Sequence, residues 1–215
     1  MDVTIVTRFR NRLAQLSKSL PSWLGIGWSA IIVVDWSSSE DVLPLLASTG
    51  DPRITLLRVK GRKNFERSAA WNVGIEAVQT SNVSTIDCDV LLHPDFLKML
   101  ERENCLYMAG SFSTSIVGCQ LMPKFIWEDS GGYNENMSGW GNEDLDLHRR
   151  VRELGHIVCG GVDDTLAVHQ EHSNALRGTN DLAGSNGKNA IVALQDPWDR
   201  THTKQKFDIE VVRPC

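Results

Sequence analysis

Two aspartates separated by one small residue, Asp87 and Asp89, flank Cys88 beside an apolar run that includes Leu91 and Leu92. In an extended chain, side chains two residues apart point the same way, so both carboxylates can face one spot. Mg²⁺ and Mn²⁺ prefer oxygen ligands and often bridge a carboxylate to a substrate phosphate. The pair therefore indicates a site for a divalent cation and a phosphate, although two acids at a strand end before a helix start have the same pattern.

A second acidic group follows a tryptophan bracketed by glycines. Trp140 lies between Gly139 and Gly141, and Glu143 and Asp144 come just after it. The dipole of a helix stabilises acids at its N-terminus by roughly 0.3–1 kcal/mol each, which accounts for the carboxylates but not for the aromatic ring. A ring held there could stack on a sugar, and a carboxylate beside it could take a proton from a sugar hydroxyl. The string is therefore equally compatible with a sugar site that has a general base and with a helix start capped by Asn142.

Basic side chains follow the first predicted strand and begin a later predicted helix. Arg10 and Arg12 lie two residues apart after the strand, and Arg67 follows Phe65 at the helix start. Guanidinium groups bind diphosphates through charge-assisted hydrogen bonds. These arginines could therefore hold a nucleotide, and the alternative is that they are solvated groups on helix surfaces.

Two histidines, His169 and His172, follow the last predicted strand. A neutral imidazole there could complete the coordination begun by Asp89. His169 is favoured as the ligand because it lies at the strand end itself. The other histidines have no such context and are predicted to be structural, namely His93, His148, His156 and His202.

These groups need a scaffold that brings them together. Predicted buried strands alternate with predicted helices: strands at 3–6, 30–34, 53–59 and 85–91, and helices at 13–20 (closed by Pro21), 41–47, 66–79 and 94–101. This alternation is typical of a parallel sheet with helices on both faces, in which ligands bind at the carboxyl ends of the strands. Residues 8–12, Asp35 and the Asp87/Asp89 pair all fall there, so we expect them to converge on one crevice.

The second half is less regular but continues the same domain. Predicted strands lie at 106–109, 116–122 and 166–169, with helices at 123–129 and 142–154. We therefore expect an α/β fold in one domain over residues 1–172. Residues 173–215 begin polar and rich in Gly and Asn, so they are predicted to be a mobile lid or tail, with a loop at 180–189.

Composition limits the class of protein. The 215 residues are 41% hydrophobic and 23% charged, as in ordinary soluble globular domains. A formal net charge of −5 argues against a general nucleic-acid-binding protein. Five cysteines without paired spacing indicate reduced thiols in a reducing compartment. No signal peptide or membrane-spanning stretch is predicted, so the expected location is cytoplasmic or peripheral at the membrane.

The order of these motifs resembles that of the β-1,4-galactosyltransferases. Over residues 3–172 the chain is similar to these enzymes and, more broadly, to inverting glycosyltransferases of the GT-A fold, including family 2 and bacterial chondroitin-polymerase-type domains. The resemblance is carried by five separated motifs: Phe9-Arg10-Asn11-Arg12, Phe65-x-Arg67 with Asn72-Val73-Gly74, Asp87-x-Asp89, Gly139-Trp140-Gly141-x-Glu143-Asp144 and His169-x-x-His172.

The resemblance implies a GT-A, Rossmann-like nucleotide-diphospho-sugar transferase domain and a role for each motif. The uridine diphosphate would be held by Phe9, Arg10, Arg12, Phe65 and Arg67. Asp87 would reach the ribose, and Asp35 would contact the nucleotide. Asp89 and one of His169 or His172 would bind Mn²⁺ or Mg²⁺. Trp140 would line the sugar site, and Asp144 would be the catalytic base with Glu143 beside it.

The expected function is transfer of a sugar, galactose or an N-acetylhexosamine, from a UDP-sugar to a hydroxyl of a glycan or glycoconjugate, as in polysaccharide biosynthesis. The sequence departs from the animal enzymes, because Leu145 interrupts the acidic run and their membrane anchor and stem have no counterpart in it. Two alternatives stay open: a nucleotidyltransferase of similar fold, which would release pyrophosphate, and a non-catalytic module that binds sugar nucleotides or glycans. The intact Glu143-Asp144 pair argues against the second.

Overall fold

The computed structural model describes residues 2–99, 105–109, 118–162, 164–171 and 185–214. Its strands are β1 (Val3–Phe9), β2 (Ala30–Trp36), β3 (Ile54–Val59), β4 (Asn82–Thr85), β5 (Val90–Leu92), β6 (Cys105–Ala109), β7 (Gln120–Pro123), β8 (Ile157–Val162), β9 (Ala167–His169) and β10 (Ile209–Val212). Its α-helices are α1 (Leu13–Leu24), α2 (Leu43–Ser48), α3 (Arg67–Glu76), α4 (Lys124–Asp129), α5 (Glu143–Glu153) and α6 (Ser185–Gln195). Short 3-10 helices cover Phe96–Met99 and Asp164–Leu166.

One large sheet organises the described part of the chain. It has eight strands in the order β10-β3-β2-β1-β4-β7-β6-β8. The pairs β3–β2, β2–β1, β1–β4 and β6–β8 are parallel, and β10–β3, β4–β7 and β7–β6 are antiparallel. β5 and β9 form a separate antiparallel pair. The predicted α/β class with a mainly parallel central sheet is therefore confirmed.

Both faces of the sheet are covered by packed side chains. Ile5 and Ile31 face one apolar cluster that includes Leu16 and Trp23 of α1. Val6 and neighbouring strand residues face a second cluster, to which α3, α4 and α5 contribute. Alternate residues of a strand point to opposite faces. This is why the central strands are apolar without interruption and were recognised as buried from their sequence.

Helix α3 lies unusually close to the sheet. A Cβ atom added at Gly74 would lie 2.4 Å from Cγ1 of Val6 and 2.9 Å from Cγ2 of Val34. Both distances are shorter than real carbon contacts, so the absence of a side chain sets the approach of the helix. Gly74 of the Asn72-Val73-Gly74 motif thus serves the packing of the helix on the sheet.

Several local predictions were wrong. Pro21 does not end the first helix, which runs on to Leu24, and the indole Nε1 of buried Trp23 donates to the carbonyl of Val90 at 2.9 Å. Tertiary packing thus holds a last turn that local propensity disfavours. The predicted strand 85–91 is divided, because Cys88 and Asp89 form a turn between β4 and β5.

The C-terminal region also differs from its prediction. Residues from Ser185 onward form helix α6, where a loop was expected, and β10 pairs with β3 at an edge of the main sheet. β8 was not predicted, since Gly160 and Gly161 weaken its strand pattern. The expected division into a domain at 1–172 and a lid or tail stays a prediction, and residues 172–184 lie outside the described part.

None of the helices that the structure describes is long and apolar enough to cross a membrane.

Candidate active site

The carboxyl ends of β1 and β4 and the N-terminus of α5 meet in one crevice, and Arg8 lies at its centre. Nη2 of Arg8 is 3.6 Å from Oδ1 of Asp87 and 3.4 Å from Oε1 of Glu143. The arginine side chain is almost fully buried, and its Cζ lies 4.4 Å from the centroid of the Trp71 ring. Arg8 therefore links two acidic motifs that are far apart in the sequence.

Asp89 faces a different set of partners from Asp87. Its Oδ2 accepts a hydrogen bond from Nη1 of Arg12 at 2.5 Å and lies 3.5 Å from Nε2 of His169. Strand pairing fixes this geometry, because Val90 is the register partner of His169 and the N–H of Gln170 donates to the carbonyl of Asp89 at 2.8 Å. The turn at Asp89 thus separates the two carboxylates that an extended strand would have aimed at one spot.

The donor atoms at Asp89 suit a divalent cation. A carboxylate oxygen and an imidazole nitrogen 3.5 Å apart could share a cation, since each bond would be about 2.0–2.2 Å. Within the described ranges, no third His, Cys, Asp or Glu completes the group. Predicted ligand His172 lies outside those ranges. Phosphate oxygens and water commonly complete such sites, so Asp89 and His169 fit Mn²⁺ or Mg²⁺.

Asp144 lies in the first turn of α5 and points at Gly118. A Cβ atom added at Gly118 would lie 3.1 Å from Oδ2 of Asp144 and 3.4 Å from Oδ2 of Asp87. Asp144 Oδ1 accepts a hydrogen bond from Nε2 of Gln120 at 3.1 Å. The residue is half-buried. Burial, together with the charges of Glu143 and Asp87, raises the pKa of Asp144 well above its usual range.

Glu143 is held from two sides. Besides its contact with Arg8, its Oε2 accepts a hydrogen bond from the N–H of Gly141 at 2.9 Å. The preceding residue, Asn142, has φ +67°, and Gly141 has φ +104°, so the chain turns sharply into the helix. This turn brings the Glu143 and Asp144 carboxylates to the crevice together.

Helix α6 fixes the backbone of the Trp140 loop. Oγ of Ser185 accepts from the N–H of Trp140 and donates to its carbonyl, both at 2.8 Å. Nδ2 of Asn189 donates to the carbonyl of Gly141 at 2.8 Å. The Trp140 side chain stays 39% exposed. A large ring held open on a fixed backbone is well suited to stack on a sugar.

A cavity of about 450 Å³ opens beside Asp35, at the carboxyl ends of β2 and β3. Its walls are Asp35, Ser37, Ser38, Ser39, Glu40, Asp41 and the residues from Arg58 to Gly61. The Asp35 carboxylate accepts from the N–H of Ser38 at 2.9 Å. Burial raises the pKa of Asp35. The hydrogen bonds with Ser38 and the charge of Arg58 lower it, but burial is the larger effect.

In the Phe9-Arg10-Asn11-Arg12 motif, Phe9 and Arg10 both make structural contacts. Phe9 is fully buried in the apolar core. The guanidinium of Arg10 donates to four backbone carbonyls: Trp36 at 3.2 Å, Arg62 at 2.9 Å, Lys63 at 2.9 Å and Asn64 at 3.3 Å. Arg10 thus holds the 62–64 loop. The predicted contacts of Phe9 and Arg10 with a diphosphate stay predictions.

The second predicted motif lies against the same crevice. Phe65 is buried, and Cζ of Arg67 lies 5.1 Å from its ring centroid, with Cζ of Arg8 at 5.6 Å. Arg67 lies close enough to Asp144 to lower the pKa of that carboxyl against the effect of burial. Phe65 therefore lies near two cations at the site.

The sequence analysis missed two residues with a part in this site, Gln120 and Ser185, and it included Arg8 only within residues 8–12, without a role of its own. Arg8 is the last charged residue before the Phe9 motif, and a charge inside a buried strand was the available signal. Gln120 is a polar residue in an apolar strand, which is the same kind of signal. For Ser185 we find no sequence signal, since its role depends on the tertiary position of α6.

Solved structures share this fold. The catalytic domain of Drosophila beta1,4-galactosyltransferase 7, in complex with xylobiose, has a TM-score of 0.64 and 19% identity, covering 94% of this chain and 81% of that one. A mutant of the same enzyme in complex with manganese, UDP-Gal and xylobiose has a TM-score of 0.63 and 17% identity, covering 88% and 79%. A mannosyltransferase of Pyrobaculum calidifontis in complex with GDP-Man and Mn²⁺ has a TM-score of 0.62 and 16% identity, covering 75% and 55%. The predicted GT-A fold is confirmed.

Sequence comparison identifies the family. N-acetyl-beta-glucosaminyl-glycoprotein 4-beta-N-acetylgalactosaminyltransferase 1 of Mus musculus is 30% identical over 156 residues. The match covers 61% of this chain but only 15% of that much longer relative. The Glycosyl transferase family 2 profile matches residues 4–171. Because that match takes in most of the chain and every element around the crevice from β1 to β9, the protein belongs to glycosyl transferase family 2.

Proposed function

We propose that this protein is a metal-dependent inverting glycosyltransferase that transfers galactose or an N-acetylhexosamine from a UDP-sugar to a glycan hydroxyl. The observation that carries the proposal is the meeting of Asp87 and Asp144 at Gly118. One acid comes from the end of β4 and the other from the start of α5. A donor-side carboxylate and a half-buried candidate base thus share one small space.

Three features support the choice of substrate. The cavity beside Asp35 has room and hydrogen-bonding groups for a nucleoside base. β1 lies between β2, which ends beside this cavity, and β4, which Asp87 follows, and Asp87 would meet the ribose. The mouse relative is named as an N-acetylgalactosaminyltransferase, and one of the similar Drosophila structures contains UDP-Gal.

The diphosphate would lie near Arg12 and Arg67. A divalent cation, Mn²⁺ or Mg²⁺, held by Asp89 and His169 or His172, would neutralise the charge that develops on the leaving diphosphate. Arg12 already pairs with Asp89 at 2.5 Å, so it would help to orient that carboxylate. Arg10 and the buried rings of Phe9 and Phe65 would shape the donor site from behind.

Asp144 would act as the general base. Its carboxylate would take the proton from the acceptor hydroxyl as the oxygen attacks the anomeric carbon from the face opposite the UDP. The raised pKa makes the carboxylate a stronger base, and a base is most effective when its pKa lies near the working pH. Glu143, fixed by Arg8 and Gly141, would hold the acceptor, and Trp140 would stack on a sugar ring.

The test is UDP release from a panel of UDP-sugars with Mn²⁺, with and without simple sugar acceptors. We expect release with one donor, and we expect Asp144→Asn to abolish transfer while UDP still binds. Glu153→Gln, an exposed acid on the same helix, is the matched control and keeps full activity. Pyrophosphate release from nucleoside triphosphates would instead identify a nucleotidyltransferase. UDP binding without turnover of any donor would identify a binding module.

A further inference from the structure

Gln120 is a fully buried polar residue at the start of β7. It pairs in register with Thr85 of β4 and with Met108 of β6. An amide in the interior of a sheet is costly to bury unless its donor and acceptor are both satisfied. Two side chains do this: Nε2 of Gln120 donates to Oδ1 of Asp144 at 3.1 Å, and Oε1 accepts from the hydroxyl of Tyr133 at 3.3 Å.

This pairing gives the amide a defined orientation. An ionised Asp144 carboxylate can only accept, so the nitrogen end of Gln120 must face it. The oxygen end then faces Tyr133, whose buried hydroxyl must donate. The ring of Tyr133 is itself packed against Trp71, with centroids 6.1 Å apart. A rigid aromatic pair therefore holds the amide that holds Asp144.

The second oxygen of Asp144, Oδ2, lies beside Gly118, which is two residues before Gln120. A methyl group at Gly118 would lie 3.1 Å from Oδ2, which is closer than most real contacts of a Cβ atom. The φ angle of Gly118 is outside the left-handed region, so the backbone would accept alanine there. Among the described residues, Gln120 thus binds one oxygen of the carboxylate, and the glycine keeps a side chain away from the other.

We propose that Gln120 is a positioning residue for the base: it holds Oδ1 of Asp144 so that Oδ2, beside Gly118, faces the acceptor hydroxyl. This inference rests on the proposed function, in which Asp144 takes the proton. It assigns a role to a fully buried residue of β7, which would contact neither donor nor acceptor.

Charged groups on several elements act on the same carboxylate. Glu143 on α5 and Asp87 after β4 raise the pKa of Asp144, and Arg8 on β1 and Arg67 on α3 lower it. The Gln120 donor adds to the lowering side, because it stabilises the ionised form. Loss of this donor should therefore raise the pKa of Asp144 while the four charged groups stay in place.

The test is Gln120→Met, which keeps the length of the side chain and removes the amide. We expect kcat to fall about 10- to 100-fold, because a small misplacement of a reacting group lowers the rate by a factor of this size. The KM for the UDP-sugar should stay within about twofold, since Gln120 does not touch the donor. The acid limb of the kcat profile should move to higher pH by about one unit, because a hydrogen bond to a charged group is lost.

Gly118→Ala is an independent second variant, which keeps Gln120 and crowds Oδ2 from the other side. It should lower kcat with at most a small change in UDP affinity, since the added Cβ would lie 3.4 Å from Oδ2 of Asp87, which is an ordinary van der Waals contact. Tyr133→Phe keeps the Gln120 donor but frees its amide to turn, so we expect a smaller loss of kcat than in Gln120→Met. Thermal unfolding and UDP binding by calorimetry establish that each variant is folded.

The outcomes separate this inference from the proposed function. If the wild type transfers sugar and Asp144→Asn does not, but folded Gln120→Met and Gly118→Ala both keep the wild-type kcat and pH profile, the positioning role is wrong and the function stands. If Asp144→Asn keeps full activity, the proposed base is wrong, and the role of Gln120 is wrong with it. If Gln120→Met does not fold, an unchanged kcat in Gly118→Ala alone overturns the inference.

Discussion

Nη1 of Arg12 lies 2.5 Å from Oδ2 of Asp89, in an ion pair whose side chains are 7% and 5% exposed. Removal of one partner from such a buried pair leaves a charge in a poorly solvated place. We therefore expect Arg12→Met to lower the free energy of unfolding of the metal-free protein by about 3–5 kcal/mol, measured by urea denaturation. Lys98→Met, which breaks an exposed ion pair with Asp95, should leave the free energy of unfolding nearly unchanged. Equal shifts in the two variants would contradict this difference.

His169 provides a test of the metal site that does not depend on turnover. We expect His169→Ala to weaken Mn²⁺ binding in the presence of UDP by about tenfold or more, measured by titration calorimetry, since even outer-shell partners of metals typically contribute 10- to 100-fold. His93→Ala, which changes a half-exposed histidine outside the crevice, is the matched control. A larger loss of affinity in His172→Ala than in His169→Ala would move the ligand role to His172.

His148, a fully buried residue of α5, couples stability to pH. Burial, with a contribution from Arg152, lowers its pKa from 6.5 to about 3. Between these values the unfolded chain binds a proton that the folded chain does not, so stability is present above pH 6.5 and is lost as the pH falls. His148→Leu should remove about 1.5 kcal/mol of the decrease that the wild type shows between pH 6.5 and 5 in urea unfolding. His93→Gln should show the same decrease in the free energy of unfolding between pH 6.5 and 5 as the wild type.

The close approach of α3 to the sheet can be tested with two glycines. Gly74→Ala should lower the free energy of unfolding by about 1–3 kcal/mol, because its methyl group would overlap Val6 and Val34. Gly187→Ala in α6, where nothing lies within 4 Å of an added Cβ, should instead raise it by up to about 1 kcal/mol. Urea denaturation measures both, and a change of the same sign in both variants would show that sterics at Gly74 do not govern the contact.

The central strands could be predicted because their local signal and their environment agree. β1, β2 and β3 are runs of β-branched and aliphatic residues in a sheet buried on both faces, and the sequence analysis found each within a few residues. Helix α5 was predicted from its acidic first turn and its apolar face. The motifs of the crevice were also found, because polar groups that follow buried strands stand out.

The failures have a common cause in tertiary contacts. Pro21 stays inside α1 because Trp23 is anchored in the core. The Asp87/Asp89 pair is not extended, because each carboxylate has its own arginine, Arg8 or Arg12. α6 replaces a predicted loop because Ser185 and Asn189 bond to the Trp140 loop, a contact 45 or more residues away in sequence. None of these partners can be inferred from a window of neighbouring residues.

The path of the chain after α6 has a consequence for solubility. Trp198 donates to the carbonyl of Gly131 at 3.0 Å, Lys204 lies over the Trp127 ring, and β10 then pairs along the outer side of β3. Without this strand, β3 would present a row of unpaired N–H and C=O groups to other molecules. A chain cut after Gln195 would therefore keep all the acids of the crevice but expose this strand edge to pairing with other chains, so the last described strand protects the edge of the sheet rather than the chemistry.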